Sequence, residues 1–133
     1  MATRLTPYLH FDGDAREAME FYQSVFGGTL DLVRYADMGE HAPADAERIV
    51  HGYLATDEFD LMGGDVPTGQ TAPSPPGHGI AISAQDGPAT RAYFEKLVEG
   101  GTVIVPLGDA PWGGLFGMAT DRYGIEWMTM LAP

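Results

Sequence analysis

The sequence predicts an α+β domain of two βαβββ modules, whose curved mixed sheets pair around a cavity. Three observations carry this. The first is an internal repeat: the 73-residue shift that moves Leu9 onto Ile82 also places Phe21 on Phe94, Val25 on Val98 and Gly27-Gly28-Thr29 on Gly100-Gly101-Thr102. That period is too long for a solenoid unit and fits a duplicated module. The second is composition: 18 glycines and 10 prolines in 133 residues demand many turns, which suits short strands better than a helical bundle. The third is the closing segment. Leu115–Thr120 and Ile125–Met130 read as strands joined by Asp121-Arg122-Tyr123-Gly124, where Asp121 can bond the turn's amides and Gly124 can take a positive φ.

The elements follow in order. Leu5–Phe11 alternates, with Leu5, Leu9 and Phe11 on one face and Thr6, Tyr8 and His10 on the other, so it reads as a strand. Asp14, with Glu17 three residues on, reads as the N-cap of a helix whose apolar stripe is Ala15, Ala18, Met19, Tyr22, Val25 and Phe26. Gly27-Gly28 stops it. Thr29–Tyr35 is a strand, 37–46 a polar loop, and Glu47–Thr56 with Glu58–Gly63 a hairpin turning near Asp57. Residues 65–77 carry Pro67, Pro73, Pro75 and Pro76 and form a linker or lid between modules 3–64 and 78–131. The pattern then restarts as strand His78–Ala84, helix Pro88–Glu99, the stop Gly100-Gly101 and strand Thr102–Leu107.

Composition narrows function. Hydrophobic residues at 44% and aromatics at 11% supply a packed core, and the length fits one domain. Seven basic against 19 acidic residues leave a net charge of −12, which repels nucleic acid and anionic membranes. The absence of cysteine removes disulfides, thiolate nucleophiles and Cys-based metal sites. Met1 leads into Ala-Thr-Arg-Leu-Thr-Pro without a signal-peptide h-region, and no apolar run reaches the ~20 residues of a membrane helix, so a cytoplasmic location is expected.

Several segments, in order, resemble one family. They are Pro7-Tyr8-Leu9-His10-Phe11-Asp12-Gly13, Ala18-Met19-Glu20-Phe21-Tyr22, Phe26-Gly27-Gly28, Val50-His51-Gly52-Tyr53-Leu54, Leu61-Met62-Gly63-Gly64-Asp65 and Trp112-Gly113 through Trp127. Together they are similar to the vicinal oxygen chelate superfamily of glyoxalases, bleomycin resistance proteins and dioxygenases, and within it to the PhnB-like branch. The resemblance implies a glyoxalase-like fold and a homodimer that covers exposed strand edges. It also implies metal-ligand positions at Thr6 or Pro7, Gly79, Asp60 and Met128, of which only Asp60 suits a hard cation. No cofactor is therefore expected; a divalent metal would need a shifted set using His78 or Glu126.

The candidate site residues are His51 and Asp60 for catalysis, and Tyr8, His10, Trp112, Phe116, Met118 and Met128 for ligand binding. His51 lies mid-strand, where an imidazole can act as a general base or bond a ligand oxygen, with Asp60 in support. It can equally be satisfied by a neighbouring carbonyl. Trp112 sits in a Pro-Trp-Gly-Gly loop, and the methionines offer a platform for flat or apolar molecules or serve as core filler. The function expected is binding or transformation of a small organic molecule, with no catalytic metal. One alternative is a drug-sequestering binding protein; another is a metal-dependent lyase or dioxygenase.

Overall fold

The computed structural model describes residues 4–39, 41–70 and 79–133. The chain divides into two units, Met1–Ser74 and Pro75–Pro133. The first contains β1 (Tyr8–Phe11), α1 (Ala15–Phe26), β2 (Thr29–Arg34), β3 (Ile49–Ala55) and β4 (Asp60–Asp65). The second contains β5 (Ile80–Ser83), α2 (Gly87–Leu97), β6 (Thr102–Asp109), β7 (Leu115–Thr120) and β8 (Glu126–Leu131). Each forms a four-stranded mixed sheet of the same topology, β1-β4-β3-β2 and β5-β8-β7-β6, with the first strand parallel to the last and the remaining pairs antiparallel. The βαβββ repeat is thus present in both units. Two short 3-10 turns, Tyr35–Met38 and Pro43–Asp45, occupy the loop between β2 and β3. Because β4 runs to Asp65, the connection between units begins at Val66, one residue later than the proline pattern suggests. Its residues 71–78, including His78, lie outside the described residues.

Helix α1 buries the expected stripe, Ala15, Ala18, Met19, Tyr22 and Val25, against Leu9, Phe11, Leu54 and Leu61. Phe26 is the exception and meets Phe59 edge-on at 5.3 Å. The helix comes close because Gly52 and Gly63 face each other across β3 and β4. A Cβ at Gly52 would meet Met19 Cγ at 3.3 Å, and one at Gly63 would meet Met19 Sδ at 3.0 Å. In the second unit Gly117 plays the same part beneath Phe94.

The expected cap at Asp14 is not formed. Asp14 sits at φ −112°, ψ 19°, away from the extended geometry an N-cap needs, and its side chain makes no capping bond. Asp65, at the end of β4, does the work instead. Its carboxylate accepts the N–H groups of Gly13 (2.7 Å), Ala15 (3.0 Å) and Ile49 (2.9 Å). A single buried side chain therefore ties the helix start to two strands. In the second unit the cap is local: Asp86 accepts the N–H of Ala89 at 2.8 Å. The closing turn forms as expected, with Asp121 Oδ1 accepting from Tyr123 and Ile125, and its Oδ2 also takes the Trp127 indole N–H.

The repeated double glycine has a physical cause. Gly27 and Gly100 have φ of +77° and +73°, which a residue with a side chain adopts only at a cost. Gly28 and Gly101 leave room for a carbonyl oxygen, Ala55 in one unit and Thr120 in the other, that sits where a Cβ would be.

Thr129, on the face of β8 that α2 covers, is 1% exposed, and its hydroxyl has no partner among the described residues. Thr129→Val keeps the shape and removes the unpaired group. It is expected to stabilise the protein by about 1 kcal/mol, seen as a higher urea midpoint with unchanged m.

Candidate functional site

The face of the first sheet opposite α1 gathers the polar aromatic side chains. In β1, Leu9 and Phe11 point to the helix, so Tyr8 and His10 point away from it, while Thr6 precedes the strand. In β3, Gly52 and Leu54 point to the helix, so His51 and Tyr53 share the open face. Strand register aligns them. His10 is level with Gly64, and His51 falls on the next rung after the Gly52–Gly63 pair, also level with Gly64.

Gly64 leaves a gap between the two histidines, and Tyr8 fills it. The Tyr8 ring stacks on His51 at 5.7 Å with 19° between planes, and meets His10 at 5.1 Å. Its hydroxyl donates to the Val50 carbonyl at 3.2 Å. That carbonyl is available because β3 bulges at Val50, where Arg34 pairs with Ile49 and Val33 with His51. A Cβ on Gly64 would lie 2.7 Å from both the Tyr8 hydroxyl and the Val50 oxygen, so this arrangement requires glycine there. Burial raises the Tyr8 pKa, and the charges of Tyr35 and Asp65 raise it further, so the phenol stays protonated. Tyr35 donates its hydroxyl to the Asp65 carbonyl at 2.9 Å.

Asp60 does not support His51. It pairs with Ala55, whereas His51 is level with Gly64, four residues farther along both strands and about 13 Å away at the usual rise. The Asp60 carboxylate instead accepts the Tyr53 hydroxyl at 2.7 Å and the Arg4 guanidinium. The bond from Tyr53 holds its pKa below the ordinary Asp value and Arg4 adds to this, against the opposing effect of burial. Tyr53 in turn is pushed up by Asp60. Asp60 is thus ionised at neutral pH, with its charge already engaged. Tyr53 and Arg4 were not singled out in the sequence. Tyr53 was within reach of that reading, lying two residues from His51 on the same strand face.

The second unit presents a different chemistry on its corresponding face. Leu115, Gly117 and Ala119 point to α2, so Phe116 and Met118 face away, opposite Met130 and Met128 respectively. Trp112 is 65% exposed in the preceding loop and meets Phe116 edge-on at 5.6 Å. Pairing from each hairpin inward places Ala55–Asp60 with Thr120–Glu126, then Tyr53–Met62 with Met118–Met128, then His51–Gly64 with Phe116–Met130. Where one module has imidazole and phenol, the other has thioether and phenyl.

The chain matches the model of the Glyoxalase/Bleomycin resistance protein/Dioxygenase superfamily over residues 4–129. It belongs to this superfamily. Among solved structures, protein PA1353 from Pseudomonas aeruginosa is 34% identical with a TM-score of 0.90, covering 98% of each chain. A Bacillus cereus protein described as a putative 3-demethylubiquinone-9 3-methyltransferase, PhnB protein, is 27% identical with a TM-score of 0.75, covering 98% of this chain and 100% of that one. The Escherichia coli protein YjdN is 26% identical, covering 93% of this chain and 92% of its own length. The PhnB-like resemblance read in the sequence thus has PhnB-like structural neighbours.

The superfamily's metal positions can now be placed on the strands. The repeat-mate of Asp60 is Glu126 rather than Met128. The 73-residue offset holds only through Thr29 and Thr102, because the β2–β3 loop is longer than the β6–β7 loop; from Asp60 to Glu126 the offset is 66. Each module therefore keeps one acid at the start of its last strand. Yet Thr6, Pro7 and Gly79 offer no strong donor side chain, and among the described residues no three His, Asp or Glu side chains converge. The described residues do not fit a metal centre. No helix among them is long and apolar enough to cross a membrane.

Proposed function

We propose that this superfamily member binds a small organic molecule on the open face of its first sheet, against the His10–Tyr8–His51 row. The observation that carries the reading is Tyr8 set between two imidazoles, stacked on His51 with 19° between planes and tilted 48° to His10, with its hydroxyl over Gly64: an aromatic surface edged with hydrogen-bonding groups. Such a surface suits a ring bearing an oxygen: the ring stacks, and an imidazole N–H donates to the oxygen. The net charge of −12 disfavours carboxylates and phosphates, so the preferred ligand is neutral. His51 is the side chain we assign to proton exchange with that oxygen, because imidazole is the residue type suited to it near neutral pH. No step is assigned to a metal.

A second reading, sequestration of a flat cationic drug, draws support from exposed Trp112 beside Phe116 and from the acidic surface. One titration separates them. Protein with carbon-13-labelled histidine and nitrogen-15-labelled tryptophan is titrated with 4-hydroxyacetophenone, a neutral aryl ketone, and with proflavine, a flat aromatic cation. The leading reading predicts that the ketone shifts the His10 and His51 ring signals. Shifts confined to the Trp112 indole under proflavine would replace it with the second.

A further inference from the structure

We infer that Arg4, Tyr53 and Asp60 form a second anchor on the open face of the first sheet, which takes a neutral hydroxyl at the far end of an elongated aromatic ligand; this rests on the binding proposed above and extends it along the sheet. Leu54 and Leu61 are buried under α1, so Tyr53, Met62 and Asp60 lie on the opposite face with His51. Strand register arranges that face in rungs. His10, Gly64 and His51 form one, Tyr8, Met62 and Tyr53 the next, and Asp60 with Ala55 the third. Met62 is thus set between two tyrosines as an apolar floor for a ring, with polar groups beyond it at both ends.

The groups at the far end select a hydroxyl. The Asp60 side chain is only 6% exposed, and it accepts the Tyr53 hydroxyl at 2.7 Å and the Arg4 guanidinium. The charges of Arg4 and Asp60 cancel, so the anchor has little net attraction for an ion of either sign. The Arg4 side chain is nevertheless 66% exposed, and its guanidinium carries five N–H donors, more than the contact with Asp60 uses. The Tyr53 oxygen, whose proton points to Asp60, keeps lone pairs that can accept. A ligand hydroxyl satisfies both, accepting from Arg4 and donating to Tyr53. A carbonyl could only accept, and a carboxylate would bring an uncompensated charge. Four residues of strand, about 13 Å, separate Gly64 from Asp60. Allowing a hydrogen bond of about 3 Å at each end puts the ligand's two oxygens roughly 7–13 Å apart. One para-substituted ring falls short of that range, and two rings joined end to end span it.

The test is calorimetric titration of the full chain with 4-acetylbiphenyl, 4-acetyl-4′-hydroxybiphenyl and 4′-acetylbiphenyl-4-carboxylate, with the histidine ring signals of labelled protein read in parallel. The hydroxyl should tighten binding ~10-fold over the parent ketone, the worth of one well-made hydrogen bond, and the carboxylate should not. That comparison needs no substitution. In Tyr53→Phe and in Arg4→Gln, each confirmed as folded by circular dichroism, the ratio between the two neutral ketones should fall below ~3-fold. The two proposals fail separately. Ketones that leave the His10 and His51 signals unmoved would overturn the binding reading itself. Ketones that move those signals while the hydroxyl gives no gain, the carboxylate binds tightest, or the ratio survives both substitutions would overturn the second anchor alone.

Discussion

Asp65→Ala is expected to destabilise the protein by about 4 kcal/mol, the largest effect of any single polar side chain described. The carboxylate accepts three backbone N–H groups, two at the start of α1 and one from β3, and is only 5% exposed. Removing it strands those donors where water does not reach them all, and each such loss costs about 1–3 kcal/mol. Asp65→Asn retains one acceptor oxygen but turns an amide N–H toward the remaining donor, so about half the loss should return. Thermal unfolding should show a fall of roughly 10–20 °C for alanine and a smaller one for asparagine. Asp14→Ala, at the residue that merely looks like the cap, should change stability by less than about 0.5 kcal/mol.

The double glycines give the second large effect, and its two halves differ in kind. Gly101→Ala would drive a Cβ into the Thr120 carbonyl oxygen, a backbone atom that cannot swing aside, and should cost about 3 kcal/mol or more. Gly100→Ala meets only the flexible Arg122 side chain at 3.2 Å, so its cost is that of φ +73°, about 1–2 kcal/mol. Urea unfolding of the two variants, compared at constant m, checks the order. Equal losses would mean that the close approach of β7 to Gly101 costs no more than the positive φ of Gly100.

These two cases mark what was legible in the sequence. Helices and strands came through because burial imposes a period: Ala15 to Val25 repeats at helical spacing, and Tyr8 and His10 alternate with Leu9 and Phe11. The shared face of Tyr8 and His10 followed from that alternation; that His51 joins them depends on the register of β1 and β3 against β4. The partner of each carboxylate did not follow either, because it depends on register between distant strands. Asp14 has the local signature of a cap, but a residue 50 positions from Ala15 supplies the bonds. Asp60 looked free to orient His51, yet four residues of strand separate them and Tyr53 lies nearer. A loop-length difference between the modules likewise shifted the match of Asp60 from Met128 to Glu126.

The role of the Tyr8–His51 face is tested most directly by a crystal structure of the protein grown with 4-hydroxyacetophenone. The ketone is expected on the side of the first sheet away from α1, its ring against Tyr8 and an oxygen within about 3 Å of a His10 or His51 ring nitrogen. A ketone bound elsewhere with that face bare, or a His51 ring turned under α1, would contradict it.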